Sequence, residues 1–291
     1  MNRLRSTLAA LRDRGETALG LFLTAGCPTP ASTLDVLLAA ASGVDGQHGA
    51  DFIELGMPFS DPVAEGLPIQ QASERALAAG MTMEGVFEIA RAFREQSDTP
   101  LALMGYANPV LRYGVGDFCE AARSAGVDGL ILPDLPPEEA DELDKAAAHH
   151  DLATVYLVAP NTAPSRVALV AERATGFVYA VSQAGLTGAS LADADATAQY
   201  LAATREAVHA HNLPMCVGFG IRTPDDAARL GREADGVIVG SALIRLADRL
   251  WRVDATGEGE PPEAGFTDSE RLAQISAWAA TLKEGATRHD A

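Results

Sequence analysis

Short, continuously apolar runs recur along this chain, each separated from the next by a stretch with helical spacing, and that alternation limits the fold more than any other feature. The runs fall at 18–24, 52–56, 101–105, 128–132, 153–158, 177–181, 215–218 and 235–239. A strand apolar on both faces must be covered on both, and a helix between consecutive strands is what a parallel crossover needs. Eight such units in 291 residues predict a closed α/β barrel, (β/α)8, with the open doubly wound sheet as the alternative. The open sheet lacks the GxGxxG turn that would support it.

The chain opens on MNRLRSTLAALRDRGE, an amphipathic pattern that predicts an additional helix ahead of the first strand. Its charges lie where a secretory leader needs an apolar core, and no apolar run reaches membrane-spanning length, so a cytoplasmic protein is expected. Ser32 is expected to start a helix over 32–42. One domain is expected, interrupted by a flexible acidic excursion at about 254–266, where DATGEGEPPEAG has no apolar pattern. A net charge of −18 argues against nucleic-acid binding or attraction to an anionic membrane, and any anionic ligand must be held locally against that field. Cys27, Cys119 and Cys216 are far apart, with no CxxC pair and no histidines at ligand spacing, which predicts neither a metal site nor a disulfide framework.

Residues 51–70, DFIELGMPFSDPVAEGLPIQ, carry the chemistry. Glu54 interrupts an apolar strand, where a carboxylate is costly unless paired or used, and burial would raise its pKa. Beyond Gly56, prolines at 58, 62 and 68 with Gly66 predict a stiff, irregular loop that bears Asp61 and Glu65. Carboxylates in contrasting settings, one at a strand end and one on a loop, suit general acid and base work. At the last two strand ends, glycines 218, 220 and 240 and helix-opening Ser241 offer bare backbone amides and a helix N-terminus for a phosphate. Arg222 is the single basic residue in that set. The sixth loop, SQAGLTG, adds Gly185, Thr187 and Gly188 in a form suited to a hinged lid.

The runs IELGMPFSDPVAEG and IQQASERALAAGMT, with LMGYANPVLRYG, LILPDLPPEE, GFGIRTP and ADGVIVGSAL, resemble the tryptophan synthase alpha subunit family over nearly the full chain. The resemblance implies retro-aldol cleavage of indole-3-glycerol phosphate to indole and glyceraldehyde 3-phosphate, with Glu54 and Glu65 catalytic. It implies Phe22, Ile69, Leu103, Tyr106, Ile131, Tyr179, Thr187 and Phe219 around the substrate, Asp134 behind Ile131, and Gly188, Gly220, Gly240 and Ser241 on the phosphate. It also implies no cofactor or metal in this chain, and a beta subunit as partner in an alpha2beta2 assembly that carries its own pyridoxal phosphate. Three positions depart from the family pattern: Glu65 replaces an Asp, Gln183 replaces the Arg of some members, and Cys27 replaces a common Asp. The first predicts slower turnover. All three leave open a stand-alone indole-producing lyase, or a catalytically weakened protein that binds and activates a beta subunit.

Overall fold

The computed structural model describes residues 2–44, 48–63, 65–182, 191–251 and 266–287. Its strands are β1 (Ala18–Thr24), β2 (Phe52–Gly56), β3 (Leu101–Met104), β4 (Gly129–Ile131), β5 (Ala153–Val158), β6 (Val178–Val181), β7 (Met215–Gly218) and β8 (Gly236–Val239). Its helices are α1 (Arg3–Asp13), α2 (Thr33–Ser42), α3 (Leu67–Ala78), α4 (Met83–Arg94), α5 (Ala107–Tyr113), α6 (Val115–Ser124), α7 (Asp141–His149), α8 (Pro164–Arg173), α9 (Leu191–His209), α10 (Pro224–Gly231), α11 (Ser241–Trp251) and α12 (Asp268–Thr287). The strands pair in chain order, every pair parallel, and β8 returns to β1 in the register Ala18↔Gly236 to Leu21↔Val239. The barrel is closed, as the alternating pattern predicts.

Closure explains the apolar runs. One face of each strand fills the barrel and the other packs on helices, so β1, β2, β3 and β4 are buried along their whole length. The predicted N-terminal helix is present as α1, and it buries Leu4, Leu8 and Leu11. The side chain of Asn2 donates to the carbonyls of Asp128 and Asp151, which precede β4 and β5, so α1 lies against the N-terminal ends of the strands.

That same end holds a recurring device. Asp51, Asp128 and Asp235 stand immediately before β2, β4 and β8, and each accepts a backbone N–H from a neighbouring strand: Leu19 at 2.7 Å, Leu101 at 3.1 Å and Met215 at 2.7 Å. Each also meets a cation. Lys283 reaches Asp51 at 2.7 Å, Arg94 and Arg3 reach Asp128 at 2.9 and 3.1 Å, and Arg205 reaches Asp235 at 3.4 Å, with the His209 ring at 2.8 Å beside it. These pairings satisfy the carboxylates and tie each one to the neighbouring strand, which fixes register.

Two elements differ from the sequence expectation. Pro68 lies not in the irregular loop but in the first turn of α3, where a missing N–H removes nothing, and Gly66 is the residue that caps it. The segment after β3 folds into α5, a helix not anticipated from the sequence. Its first amide, Ala107, donates to both oxygens of Asp134 at 2.9 and 3.2 Å. A cap supplied from the loop after β4 leaves no local signal. Ser32 does precede α2, but its hydroxyl bonds Thr29 at 2.7 Å and makes no cap bond.

Candidate active site

Glu54 is the third of the five residues of β2, within the strand rather than at its end, and it is paired in register with Phe22 on one side and Ala102 on the other. Its side chain is fully buried, and burial alone pushes its pKa up to about 8. Among the described residues neither carboxylate oxygen has a hydrogen-bond partner. A carboxyl in that setting is held neutral near pH 7 and retains a proton to give.

It faces a cavity of about 270 Å³ at the C-terminal ends of the strands. Glu65 lines the same cavity from the loop before α3. The Tyr106 hydroxyl donates to Glu65 Oε2 and accepts from the Val63 amide at 2.8 Å, while the Tyr106 ring stacks on Phe59 at 4.9 Å. Gln70 donates to the Glu65 carbonyl at 2.8 Å, tying the loop to the first turn of α3. Asp61, the other loop acid, is exposed and bonds only its neighbour Ser60 at 2.6 Å among the described residues.

Apolar walls come from Phe22, Ile69, Met104, Tyr179, Phe219 and Ile238. Glycines shape them. A Cβ at Gly56 would meet the Phe22 ring at 2.5 Å, and one at Gly218 would meet the Tyr179 hydroxyl at 2.1 Å. Phe219 adopts φ +73°, a left-handed conformation that costs a non-glycine residue about 1–2 kcal/mol, and it is held there by Ser182 Oγ donating to its carbonyl at 2.7 Å. Tyr179 sits edge-on to it at 6.0 Å.

The far end of the cavity is formed by Gly220, Gly240 and Ser241. No atom lies within 4 Å of where a Gly220 Cβ would stand, so its backbone faces open space. Gly240 accepts from the Leu243 amide at 2.9 Å and starts α11, whose first amides have no acceptor within the helix and whose dipole favours an anion. Arg222 lines this end, and Arg245, one turn beyond Ser241 on α11, joins it. Arg245 is not among the residues named from sequence; its spacing of four from Ser241 is the signal that places it on the same helix face.

Most residues named from sequence converge here: Glu54, Glu65, Phe22, Ile69, Tyr179, Phe219, Gly220, Gly240 and Ser241 all line the cavity. Leu103 does not. It pairs with Leu55 and Leu130 on the face of the sheet turned toward the helices, and Met104, one residue on, takes the wall position. Ile131 pairs with Met104 and shares its face without lining the cavity, and Tyr106 acts through Glu65. Asp134 caps α5. Gln183, Gly185, Thr187 and Gly188 lie outside the described residues, as do 254–265 of the acidic excursion.

The two ends of the site are joined beneath. Arg75 of α3 grips Asp248 of α11 through both carboxylate oxygens, at 2.7 and 2.8 Å, and the Cys27 thiol lies 3.8 Å from the same carboxylate. Burial pushes that thiol well above its ordinary pKa, so it is unreactive in this position.

A closed parallel barrel that gathers carboxylates, aromatic walls and an amide-rich anion end at one rim defines a (β/α)8-barrel enzyme. Residues 8–262 match the family described as tryptophan synthase alpha chain. The chain is 47% identical over 262 residues to the tryptophan synthase alpha chain of Laribacter hongkongensis, covering 90% of this chain and 94% of that one, and 41% identical over 285 residues to that of Geobacter sp. strain M21, covering 98% of each. The solved structure of the subunit alpha from Legionella pneumophila superposes with a TM-score of 0.81 at 36% identity, covering 98% of both chains. The chain belongs to the tryptophan synthase alpha chain family, whose members are lyases of tryptophan biosynthesis.

Proposed function

We propose that this chain, as one barrel domain, cleaves indole-3-glycerol phosphate to indole and glyceraldehyde 3-phosphate, with Glu54 and Glu65 as the reacting pair. The observation that carries the reading is the buried Glu54, without a hydrogen-bond partner among the described residues, facing the same cavity as Glu65 and the Gly220–Gly240–Ser241 end. The phosphate is held by the amides of Gly220, Gly240 and Ser241, with Gly188 added from the sixth loop and Thr187 against the rest of the substrate. The indole ring lies among Phe22, Ile69, Met104, Tyr179 and Phe219.

In this arrangement the protonated Glu54 gives its proton to indole C3. Glu65 accepts the ring N–H and opposes the positive charge that develops on nitrogen. The Glu54 carboxylate then takes the proton of the side-chain hydroxyl as the carbon–carbon bond breaks, which restores the acid. Both protons pass through one group, so a carboxyl with a pKa near the working pH is the right one. No step calls for a metal or organic cofactor in this chain.

A beta subunit that carries pyridoxal phosphate is the expected partner, in an alpha2beta2 assembly. Supporting that, solved tryptophan synthase from Mycobacterium tuberculosis matches with a TM-score of 0.81 at 32% identity. Val63 and Leu67 on either side of Glu65 are also 82% and 64% exposed, an apolar rim unusual beside a polar mouth. A cytoplasmic location follows from the same pathway role; among the described residues no helix is long and apolar enough to cross a membrane.

The test is to incubate the purified chain with indole-3-glycerol phosphate and measure indole, alone and with a beta subunit added. Indole formation that rises with the partner supports the alpha-subunit reading. Equal and substantial indole in both arms would mark a stand-alone lyase, and none in either would overturn the enzymatic assignment.

A further inference from the structure

Behind the anion end of the active-site cavity lies a second cavity, of about 280 Å³, lined by Arg222, Ala242, Arg245, Leu246, Arg249 and Trp278. Arg222 comes from the loop after β7, Arg245 and Arg249 stand one turn apart on α11, and the half-buried Trp278 is supplied by α12. Arg222 and Arg245 line both cavities, whereas Arg249 and Trp278 line only the outer one.

In a chain with 40 acids against 22 basic residues many arginines find a carboxylate, among them Arg75 with Asp248, Arg94 with Asp128, and Arg173 with Asp141 and Asp144. Among the described residues none of the three guanidinium groups around the outer cavity meets a carboxylate. Two acids close to them in sequence are committed elsewhere. Asp248 is taken by Arg75, and Asp226 caps α10, accepts from the Arg222 amide at 3.1 Å and pairs with Arg229 at 3.6 Å. Three like charges around one small cavity repel, and a bound anion offsets that repulsion. Planar guanidinium groups are also suited to grip an oxyanion through paired N–H donors, and the Trp278 ring gives the cavity an apolar wall.

We propose that the outer cavity is a second anion site that takes a compact tetrahedral oxyanion of the phosphate or sulfate type, and that its occupancy weakens phosphate binding in the inner cavity. The coupling is negative because the anion draws on the same two guanidinium groups, Arg222 and Arg245, from their other side. The outer site stands on its own geometry; the coupling rests on the assignment of the inner end to the substrate phosphate. By reciprocity, substrate in the inner cavity weakens the outer anion by the same factor.

The sequence has two tryptophans, so a Trp251→Phe variant leaves Trp278 as the reporter of the outer cavity. Titrating that variant with sodium sulfate at constant ionic strength, chloride making up the difference, is expected to give a saturable change in emission that disappears when Arg249→Gln is added. In steady-state assays sulfate is expected to raise KM for indole-3-glycerol phosphate about fivefold to a plateau at constant kcat. Arg249→Gln, which leaves the inner cavity intact, should remove the plateau effect. Should Trp251→Phe fail to fold, the same comparison is made between the unmodified chain and Arg249→Gln. A Trp278 signal that does not saturate, or that survives Arg249→Gln, overturns the site. A saturable signal with no change in KM overturns the coupling alone. A chain with no activity on indole-3-glycerol phosphate refutes the inner assignment, and the fluorescence titration still decides the outer one.

Discussion

Asp128 and Glu54 are both fully buried carboxylates of the same barrel, yet the fold treats them in opposite ways. Asp128, at the N-terminal end, accepts the Leu101 amide and meets Arg94 and Arg3. Glu54, near the C-terminal end, has no partner among the described residues. The first is fully partnered and holds strands in register. The second is kept as a neutral acid at a standing cost, and a cost borne by the folded state without structural return marks chemistry.

That contrast can be broken from either side, and the largest effect expected is on rate. Glu54→Gln should lower kcat by about 10³-fold, because a general acid and base is lost together, and indole formation measures it directly. Next is Asp128→Asn, which leaves Arg94 and Arg3 facing a buried neutral amide; denaturant unfolding should show a loss of about 3 kcal/mol, with activity per folded molecule retained.

The stability of Glu54→Gln should move the other way. With a folded pKa of about 8 against an ordinary value of 4.5, the unfolded chain loses this proton first as pH rises, so the wild type loses stability from about pH 4.5 up to about pH 8. Removing the group relieves that cost, and at pH 7 the variant should gain on the order of 2 kcal/mol; an unchanged or lower midpoint would mean that Glu54 is not held neutral. By the same titration, kcat/KM should fall above about pH 8 as the acid form is lost.

Smaller effects sharpen the picture at the rim. Phe219→Gly relieves the left-handed backbone but removes a wall, so stability should change by less than about 1 kcal/mol while KM rises. Glu65→Asp should raise the turnover of the isolated chain a few-fold if the extra methylene displaces the carboxylate from its best position. An unchanged or lower rate would show that the Tyr106 hydroxyl holds the longer side chain equally well.

Much of this was legible in the sequence. The alternation of apolar runs and helical stretches implies the closed barrel, and a lone Glu in such a run, followed by a proline-rich acidic loop, points to the carboxylate pair. What escaped has identifiable causes. β3 reads LALM, apolar on both faces, so its pattern carries no period of two, and only the register with β2 and β4 shows that Met104 rather than Leu103 faces the cavity. The start of α5 depends on Asp134, 27 residues away. Asp51, Asp128 and Asp235 each precede a strand, a visible regularity whose meaning emerges only once their partners from other elements are in place.

Closure of the barrel also sets how freely the two carboxylates can vary. Because β2 is hydrogen-bonded along both edges, the backbone beneath Glu54 is fixed by β1 and β3 at once, and a shorter side chain there would withdraw its oxygens with no means of following. Glu65 stands on a loop outside the sheet, held through Tyr106 and Gln70 and not by a strand ladder on both edges. Exchange of Asp and Glu is therefore a smaller disturbance at the loop position than at the strand position.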